Sequence, residues 1–169
     1  MSTILERDDV TAMVALMADR IVTTLPAGEP WALVGIRRGG PPLADRLADA
    51  CDARTGSRPL RGDVDVTLYR DDLYSGLEKP IVGDTAMPFE VDGLGIVLVD
   101  DVLFTGRTVR AAMGEVWDYG RPKWIKLAVL IDRGHRELPI APDFVGARIA
   151  TPRRSRVRVD WAADVVTVE

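Results

Sequence analysis

Two adjacent carboxylates followed by a hydroxyl-rich turn are the groups that this sequence best equips for chemistry. Asp100 and Asp101 come directly after an apolar run, and Thr105, Gly106 and Thr108 follow within a few residues. A carboxylate pair can accept hydrogen bonds from the two hydroxyls of a ribose, or hold a hydrated Mg²⁺ through water. A glycine-containing turn that opens a helix offers backbone N–H groups to an anion the size of a phosphate. The pattern therefore predicts a site for a sugar phosphate.

The flanking sequence predicts the strand and the helix that position these groups. Residues 96–99 form an unbroken apolar run, which is typical of a strand buried on both faces of a parallel sheet. The spacing of Val109, Ala112, Met113 and Val116 predicts a helix after the turn. Ligands of open α/β sheets bind beyond the carboxyl ends of the strands, where the two acids would lie. The alternative is structural: a solvated strand end followed by a threonine helix cap.

A second apolar stretch, residues 31–36, also ends in a polar loop and is followed by a helical pattern. The loop residues are Arg37, Arg38, Gly39 and Gly40. A glycine loop with two arginines can bind an anion through backbone and guanidinium donors together. A capped turn with exposed arginines is the structural alternative. A third apolar strand, predicted over 124–131, ends at Asp132.

Between these units, residues 64–69 alternate apolar and polar side chains, which predicts a half-buried strand. Residues 74–88 contain two glycines and two prolines without a sustained period. We expect this segment to be a mobile loop or hairpin that covers the phosphate site and excludes water. A solvated hairpin without that role is the alternative. The chain closes with two short predicted strands, 157–159 and 165–168.

Composition limits the classes of protein that fit. The 169 residues suit one domain with a real core, which we place at 1–169. One cysteine and one histidine exclude a disulfide framework and make a zinc site very unfavourable. The formal charge of −4 argues against a protein coated with nucleic acid, although it allows a local basic patch. No apolar run has the length of a membrane span and no secretory pattern begins the chain, so a cytoplasmic location without membrane association is expected.

The central segment resembles a known motif. Residues 97–109, Val-Leu-Val-Asp-Asp-Val-Leu-Phe-Thr-Gly-Arg-Thr-Val, are similar to the phosphoribosyl pyrophosphate (PRPP) motif of the type I phosphoribosyltransferases. The version here resembles the one in the PyrR family, whose members regulate pyrimidine operons and have uracil phosphoribosyltransferase activity. Further segments that resemble this family, in order along the chain, are 34–36, 43–48, 64–73 and 127–140.

The resemblance implies an α/β fold of the type I phosphoribosyltransferase kind. A mostly parallel central sheet would be flanked by helices, with a flexible β-hairpin loop over the site and a small C-terminal strand region. The implied reaction converts uracil and PRPP to UMP and pyrophosphate with Mg²⁺ as cofactor. The implied partners are PRPP, uracil, UMP or UTP, and further copies of the chain in a dimer or larger assembly.

Site roles follow from the resemblance residue by residue. The implied catalytic residues are Asp100, Asp101 and Arg70, and the two aspartates would also hold Mg²⁺ through water. The implied PRPP and phosphate site comprises Val102, Leu103, Phe104, Thr105, Gly106, Arg107 and Thr108. The implied pyrophosphate contacts are Arg37, Arg38, Gly39 and Gly40, and the implied uracil contacts are Ile131, Asp132, Arg133 and Gly134. The family usually has Thr-Arg-Gly where this chain has Arg38-Gly39-Gly40, so the loop arginine is displaced by one residue.

The family also binds pyr leader mRNA under the control of UMP or UTP, and this role stays open here. Residues suited to RNA contact are His135, Arg136, Arg153 and Arg154. At places in the first helix where the resembling proteins carry basic and hydroxyl side chains, this chain has Ala15, Leu16 and Asp19. These residues donate nothing to a phosphate. A non-catalytic, nucleotide-sensing RNA-binding attenuator is therefore one alternative to the enzyme.

The other alternative keeps the fold and changes the base to a purine. In purine enzymes of this fold, an acid near the phosphate turn often acts on the N7 atom of the base. Phe104 and Thr105 precede Gly106 here, and neither is acidic. The sequence therefore favours uracil over a purine.

Overall fold

The computed structural model describes residues 1–66 and 85–169. The strands are β1 (Ser2–Leu5), β2 (Trp31–Ile36), β3 (Leu60–Val64), β4 (Gly95–Leu103), β5 (Trp124–Asp132), β6 (Phe144–Arg148), β7 (Val157–Asp160) and β8 (Val165–Val168). The helices are α1 (Arg7–Thr24), α2 (Gly40–Thr55) and α3 (Arg107–Asp118). Within the two described ranges, none of the helices combines the length and the apolar character that a membrane crossing needs.

Five parallel strands form the central sheet, in the order β3-β2-β4-β5-β6. Strand β4 lies in the middle, and its first six residues are buried. This burial explains the unbroken apolar runs, because helices cover both faces of the sheet and leave no solvated face for polar side chains. The predicted α/β architecture with a mostly parallel sheet is confirmed.

Alternate residues of β4 supply two hydrophobic layers. Val97 and Val99 pack with buried residues of α1 and α2 on one face. Ile96 and Leu98 pack with buried residues of α3 on the other face. Because side chains of a strand alternate between faces, a single apolar run can serve both layers. The sheet is thus held from both sides, which makes its carboxyl edge a rigid platform.

A second, antiparallel sheet has the order β1-β8-β7. It confirms the predicted C-terminal strand region, and it adds β1, which the sequence reading did not predict. Arg46 of α2 ties the turn between β7 and β8 to the main body. Its guanidinium donates to the Trp161 carbonyl oxygen at 3.0 Å and to Asp164 Oδ1 at 2.6 Å, and it lies 4.7 Å from the centre of the Trp161 ring.

Strand β3 (Leu60–Val64) begins before the half-buried strand predicted over 64–69, because its main-chain pairing with β2 starts at Leu60, an exposed residue without a periodic signal. The prediction was wrong for residues 65–66, which follow the end of β3, and residues 67–69 lie outside the described residues. Within β3, Asp63 also forms an antiparallel bridge with Ala86. The predicted loop over 74–88, for residues up to 84, and the predicted catalytic Arg70 lie outside the described residues.

Candidate active site

Three neighbouring strand ends bring the predicted site residues to one edge of the sheet. In the parallel register, Gly35 of β2 lies beside Val99 of β4, and Asp100 lies beside Val129 of β5. The loop after β2, the acid pair of β4 and the end of β5 are therefore adjacent, as expected for the ligand edge of an open α/β sheet. The acids lie inside β4 and not after it, because pairing with β5 keeps the chain extended to Leu103.

The acid pair is shaped by its own backbone. The Asp101 amide donates to Asp100 Oδ1 at 2.9 Å, and the Val102 amide donates to Asp101 Oδ1 at 2.8 Å. Asp100 is buried, with 8 % of its surface exposed. Burial raises the pKa of Asp101 above the ordinary aspartate value, although hydrogen bonds with Asp100 and Val102 oppose the shift. A ligand hydroxyl could donate a hydrogen bond to the buried carboxylates, and a hydrated cation could balance their charge. Either would offset the cost of burial, so the acid pair is suited to bind either one.

Glycines let the loop after β2 approach the acid pair. A Cβ atom on Gly39 would lie 2.2 Å from the Asp101 carboxylate, and one on Gly40 would lie 2.1 Å from the Val99 carbonyl oxygen. Helix α2 begins at Gly40, so its amino end points to the same region. Arg38 is exposed, and the Arg37–Arg38 peptide bond is cis. Of the predicted pyrophosphate residues, Gly39 and Gly40 are thus brought against the acid pair, whereas Arg37 Nη2 lies 3.8 Å from Asp63 Oδ2.

The predicted phosphate turn opens α3 and lines a cavity of about 410 Å³. Gly106 has φ +93°, a left-handed conformation that favours glycine, and Thr105 Oγ1 accepts a hydrogen bond from the Arg107 amide at 3.3 Å. The cavity is lined by Asp100, Val102, Leu103, Phe104, Thr105, Gly106, Arg107, Thr108, Val109, Glu137 and Arg153. Asp100 and the phosphate turn therefore line the same cavity.

At the end of β5, the predicted uracil segment is heavily bonded to protein. The Arg133 amide donates to the Leu103 carbonyl oxygen at 3.1 Å, and the Gly134 amide donates to Asp132 Oδ1 at 3.0 Å. Asp132 also receives both hydrogen bonds of Arg136 Nη2, at 2.8 Å each. The Arg133 and Gly134 amides are thus already hydrogen-bonded to protein atoms. A base in this region would have to bind other polar groups of the segment.

Two residues predicted to contact RNA are also used inside the molecule. Arg136 donates through Nη1 to the Phe104 carbonyl oxygen at 2.8 Å and through Nε to the Ile140 carbonyl oxygen at 2.9 Å. His135 Nε2 lies 2.6 Å from the Thr151 carbonyl oxygen, and it must donate because a carbonyl only accepts. Both side chains therefore position loops around the phosphate turn.

Arg133 is a buried cation that packs against the phosphate turn. Its Nε donates to Thr151 Oγ1 at 3.0 Å, its Nη2 donates to the Pro152 carbonyl oxygen at 2.8 Å, and its Cζ atom lies 4.2 Å from the centre of the Phe104 ring. Burial lowers the pKa of Arg133, and the charge of Arg153 lowers it further. The contacts hold the 151–153 segment over the cavity.

Sequence reasoning missed Glu137, which joins two arginines at the cavity. Glu137 Oε2 accepts from Arg107 Nε at 2.8 Å, and Glu137 Oε1 accepts from Arg153 Nη2. These bonds hold the pKa of Glu137 below its ordinary value. Glu137 stands in the 127–140 segment on which the family resemblance rests, and that position was the available signal. Arg153 and Arg154, both predicted to contact RNA, are both exposed. Only Arg153 lines the cavity.

The solved structures most like this chain include phosphoribosyltransferases of low sequence identity. A hypoxanthine phosphoribosyltransferase of Trypanosoma cruzi matches with a TM-score of 0.75 at 20% identity, over 99% of this chain and 90% of that one. A hypoxanthine phosphoribosyltransferase of Staphylococcus aureus matches with a TM-score of 0.73 at 19% identity, over 96% and 84%. At this identity the likeness shows the fold and leaves the base undecided.

The fold and the site define a class, and the sequence comparison agrees. The phosphoribosyl transferase domain family matches residues 2–159, so the chain belongs to the phosphoribosyltransferases. It is 49% identical over 156 residues to "Bifunctional protein PyrR" of Pelotomaculum thermopropionicum, covering 92% of this chain and 86% of that one. It is also 49% identical over 170 residues to the protein of the same name from Roseiflexus sp., covering 98% and 93%. Within the class, the chain belongs to the PyrR family, which confirms the resemblance seen in the sequence.

Proposed function

We propose that this protein transfers the ribose 5-phosphate of PRPP to uracil, giving UMP and pyrophosphate. The observation that carries the proposal is the cavity between Asp100 and the Thr105–Thr108 turn. One end offers the Asp100 carboxylate to ribose hydroxyls, and the other offers helix-start amides to a 5-phosphate. A single phosphorylated ribose spans both. Residues 1–169 as one domain, a cytoplasmic location and homo-oligomeric assembly belong to the same proposal.

The reaction breaks the bond from ribose C1 to the pyrophosphate oxygen and forms a bond from C1 to uracil N1, which loses its proton. Positive charge develops on the ribose ring and negative charge on the leaving pyrophosphate. Such a transition state needs positioning and electrostatic stabilisation more than a nucleophilic side chain. Asp100 and Asp101 orient the ribose near the developing cation. Arg37 and Arg38, with the Gly39–Gly40 backbone, would receive the leaving group.

Mg²⁺ fits the same residues. Protein sites for this ion usually provide one or two carboxylates and leave the other positions to water and substrate phosphates. Asp100 and Asp101 are adjacent, and burial raises the pKa of Asp101, so a nearby cation would favour its ionised form. When bound, the ion would neutralise pyrophosphate charge.

Uracil recognition is assigned to the segment that ends β5. Because the Arg133 and Gly134 amides are bonded to protein, we propose that a backbone carbonyl oxygen of residues 131–134 accepts the N3–H group of uracil, since N1 forms the bond to ribose. Phe104, where a purine enzyme often has an acid, lies beside this segment through its contact with Arg133. A neutral ring at this place supports a pyrimidine over a purine.

The test is a double substitution at the acid pair. We expect D100N with D101N to lower kcat/KM for uracil and PRPP by about 100-fold or more, roughly 3 kcal/mol, because ribose orientation and cation binding both weaken. The control is E90Q, which changes an exposed carboxylate that does not line the cavity. Pyrophosphate release should require uracil and should not occur with hypoxanthine or adenine. Unchanged uracil turnover in the double variant would refute the assignment.

A second role, nucleotide-controlled binding of pyr leader mRNA, is supported by an exposed basic surface. The side chain of Arg148 is 72% exposed, and Arg154 is also exposed. In contrast, Leu16 of α1 is an exposed apolar residue, and Asp19 pairs with Arg54. We propose that any RNA site centres on Arg148 and Arg154 and not on α1.

The RNA role is tested by titrating a uridine-rich pyr leader hairpin with and without UMP at two salt concentrations. UMP should strengthen binding, and added salt should weaken it, because each phosphate contact releases counterions. Binding that ignores both UMP and salt would remove this role. It would leave the enzymatic proposal intact.

A further inference from the structure

Three charged side chains meet at the rim of the cavity. Glu137 accepts hydrogen bonds from Arg107, in the first turn of α3, and from Arg153, in the loop between β6 and β7. All three residues line the cavity together with the phosphate turn. Two guanidinium groups and one carboxylate leave one net positive charge next to the place where a 5-phosphate would bind.

Arg153 is held toward the cavity by several contacts although the residue is exposed. Its Cζ atom lies 5.6 Å from the centre of the Phe104 ring, which also contacts the Arg133 guanidinium at 4.2 Å and the His135 ring at 5.7 Å between ring centres. The Arg153 carbonyl oxygen accepts a hydrogen bond from Arg133 Nη2 at 3.4 Å. Both the backbone and the side chain of Arg153 are therefore directed by residues of the site. An arginine serving only an outer surface would not need these contacts.

The chemistry of the rim differs from that of the turn. Helix-start amides suit one phosphate group at short range. A guanidinium further out suits a second or third phosphate, because arginine binds phosphate oxygens through paired N–H donors. The Glu137 carboxylate now occupies the Arg153 guanidinium through one oxygen, while its other oxygen accepts from Arg107. A polyphosphate chain leaving the turn would compete with Glu137 for Arg153.

We propose that Arg153 determines how many phosphates the nucleotide pocket accepts, by binding the outer phosphates of a nucleoside 5′-diphosphate or 5′-triphosphate, and that Glu137 competes for it from within the chain. This inference rests on the proposed function, since it requires the turn to hold a nucleotide 5′-phosphate. It removes Arg153 from the RNA surface predicted from sequence and assigns it to the ligand.

The experiment compares the affinities of UMP and UTP by calorimetry at one ionic strength and one free Mg²⁺ concentration. R153A should lower the affinity for UTP about tenfold or more and the affinity for UMP less than about threefold, because a charge-assisted contact to the outer phosphates is lost. R153K should fall between, since lysine keeps the charge and loses the paired donors. E137Q should raise the affinity for UTP several-fold, because the competing carboxylate is removed. R156A is the matched control, because Arg156 is exposed, lies three residues away and does not line the cavity.

The outcomes separate this inference from the proposal on which it rests. If wild-type protein binds neither UMP nor UTP, the nucleotide pocket itself is refuted. If wild-type protein binds UMP, but R153A and R153K change the affinities for UMP and UTP equally or leave both unchanged, the role of Arg153 is refuted. If R153A and R154A weaken RNA binding to the same extent and leave UTP unchanged, Arg153 belongs to the RNA surface and the inference is wrong. Far-ultraviolet circular dichroism of each variant shows that the comparison is made on folded protein.

Discussion

Gly39 occupies a position where a single added carbon would disturb the acid pair. Its φ of −77° is one that alanine adopts easily, so the obstacle to a side chain is contact and not backbone strain. The new Cβ would lie 2.2 Å from the Asp101 carboxylate. We expect G39A to lower kcat/KM by about tenfold to 100-fold, because displacement of the acids by a fraction of an ångström degrades ribose orientation.

The matched control is G114A, in the interior of α3. No heavy atom lies within 4 Å of the Cβ that it would add, and alanine favours a helix over glycine by about 1 kcal/mol. We expect G114A to keep full activity and to gain stability in urea unfolding. If G39A retained wild-type kinetics, the loop after β2 would not be pressed against a functional acid.

At the residue scale, the sequence carries the groups that act through their own type and order. Asp100, Asp101 and Gly106 were predicted because acids after a buried run and a glycine before a helix have few other uses. Glu137 was not predicted as part of the site, since its role depends on Arg107 and Arg153, which are distant in sequence. Such pairings arise only when loops from different strands fold over the same edge.

At the scale of elements, the buried strands β2, β4 and β5 were predictable because each contains a continuous apolar run. Strands β1 and β6 were not, because their main-chain pairing is supplied by distant partners and their patterns are short. The mobile loop predicted over 74–88 remains a prediction, since residues 67–84 lie outside the described residues. A strand that is buried on both faces can be predicted from its sequence. A strand that forms mainly by pairing with a distant strand cannot.

Arg46 is one of two arginines that link the turn between β7 and β8 to the helices, the other being Arg7 of α1, which donates to the Ala163 carbonyl oxygen. Arg46 contacts the Trp161 ring, the Trp161 carbonyl oxygen and Asp164, and its side chain is about one-third exposed. We expect R46A to lower the free energy of unfolding by about 1–2 kcal/mol, after allowance for solvent screening. Urea unfolding measures this change. R20A, at an exposed position of α1, should change stability by less than about 0.5 kcal/mol.

Activity of R46A at saturating substrate should stay near wild type, because Arg46 does not line the cavity. An R46A protein as stable as wild type would show that apolar packing and the Arg7 hydrogen bonds hold the β7–β8 turn without Arg46. A large loss of activity with unchanged stability would place the antiparallel sheet in the catalytic machinery.

At the scale of the whole molecule, the proposed ligand would touch elements from both hydrophobic layers. Helix α2 packs on one face of β4 and α3 on the other, while the amino ends of both lie at the carboxyl edge of the sheet. A nucleotide bound at that edge would stabilise the native state and could not bind the unfolded chain. At a concentration 100 times its Kd, it adds about 2.7 kcal/mol to the free energy of unfolding.

For a chain of this size, that stabilisation should raise Tm by about 5–10 °C, which differential scanning calorimetry with UMP and Mg²⁺ can measure. The D100N and D101N double variant should lose most of the shift, because the ribose end of the site is weakened. E90Q should keep the full shift. If the double variant responded to UMP as strongly as wild type, the nucleotide would be held without the acid pair, and the cavity beside the Thr105–Thr108 turn could not be where the ribose binds.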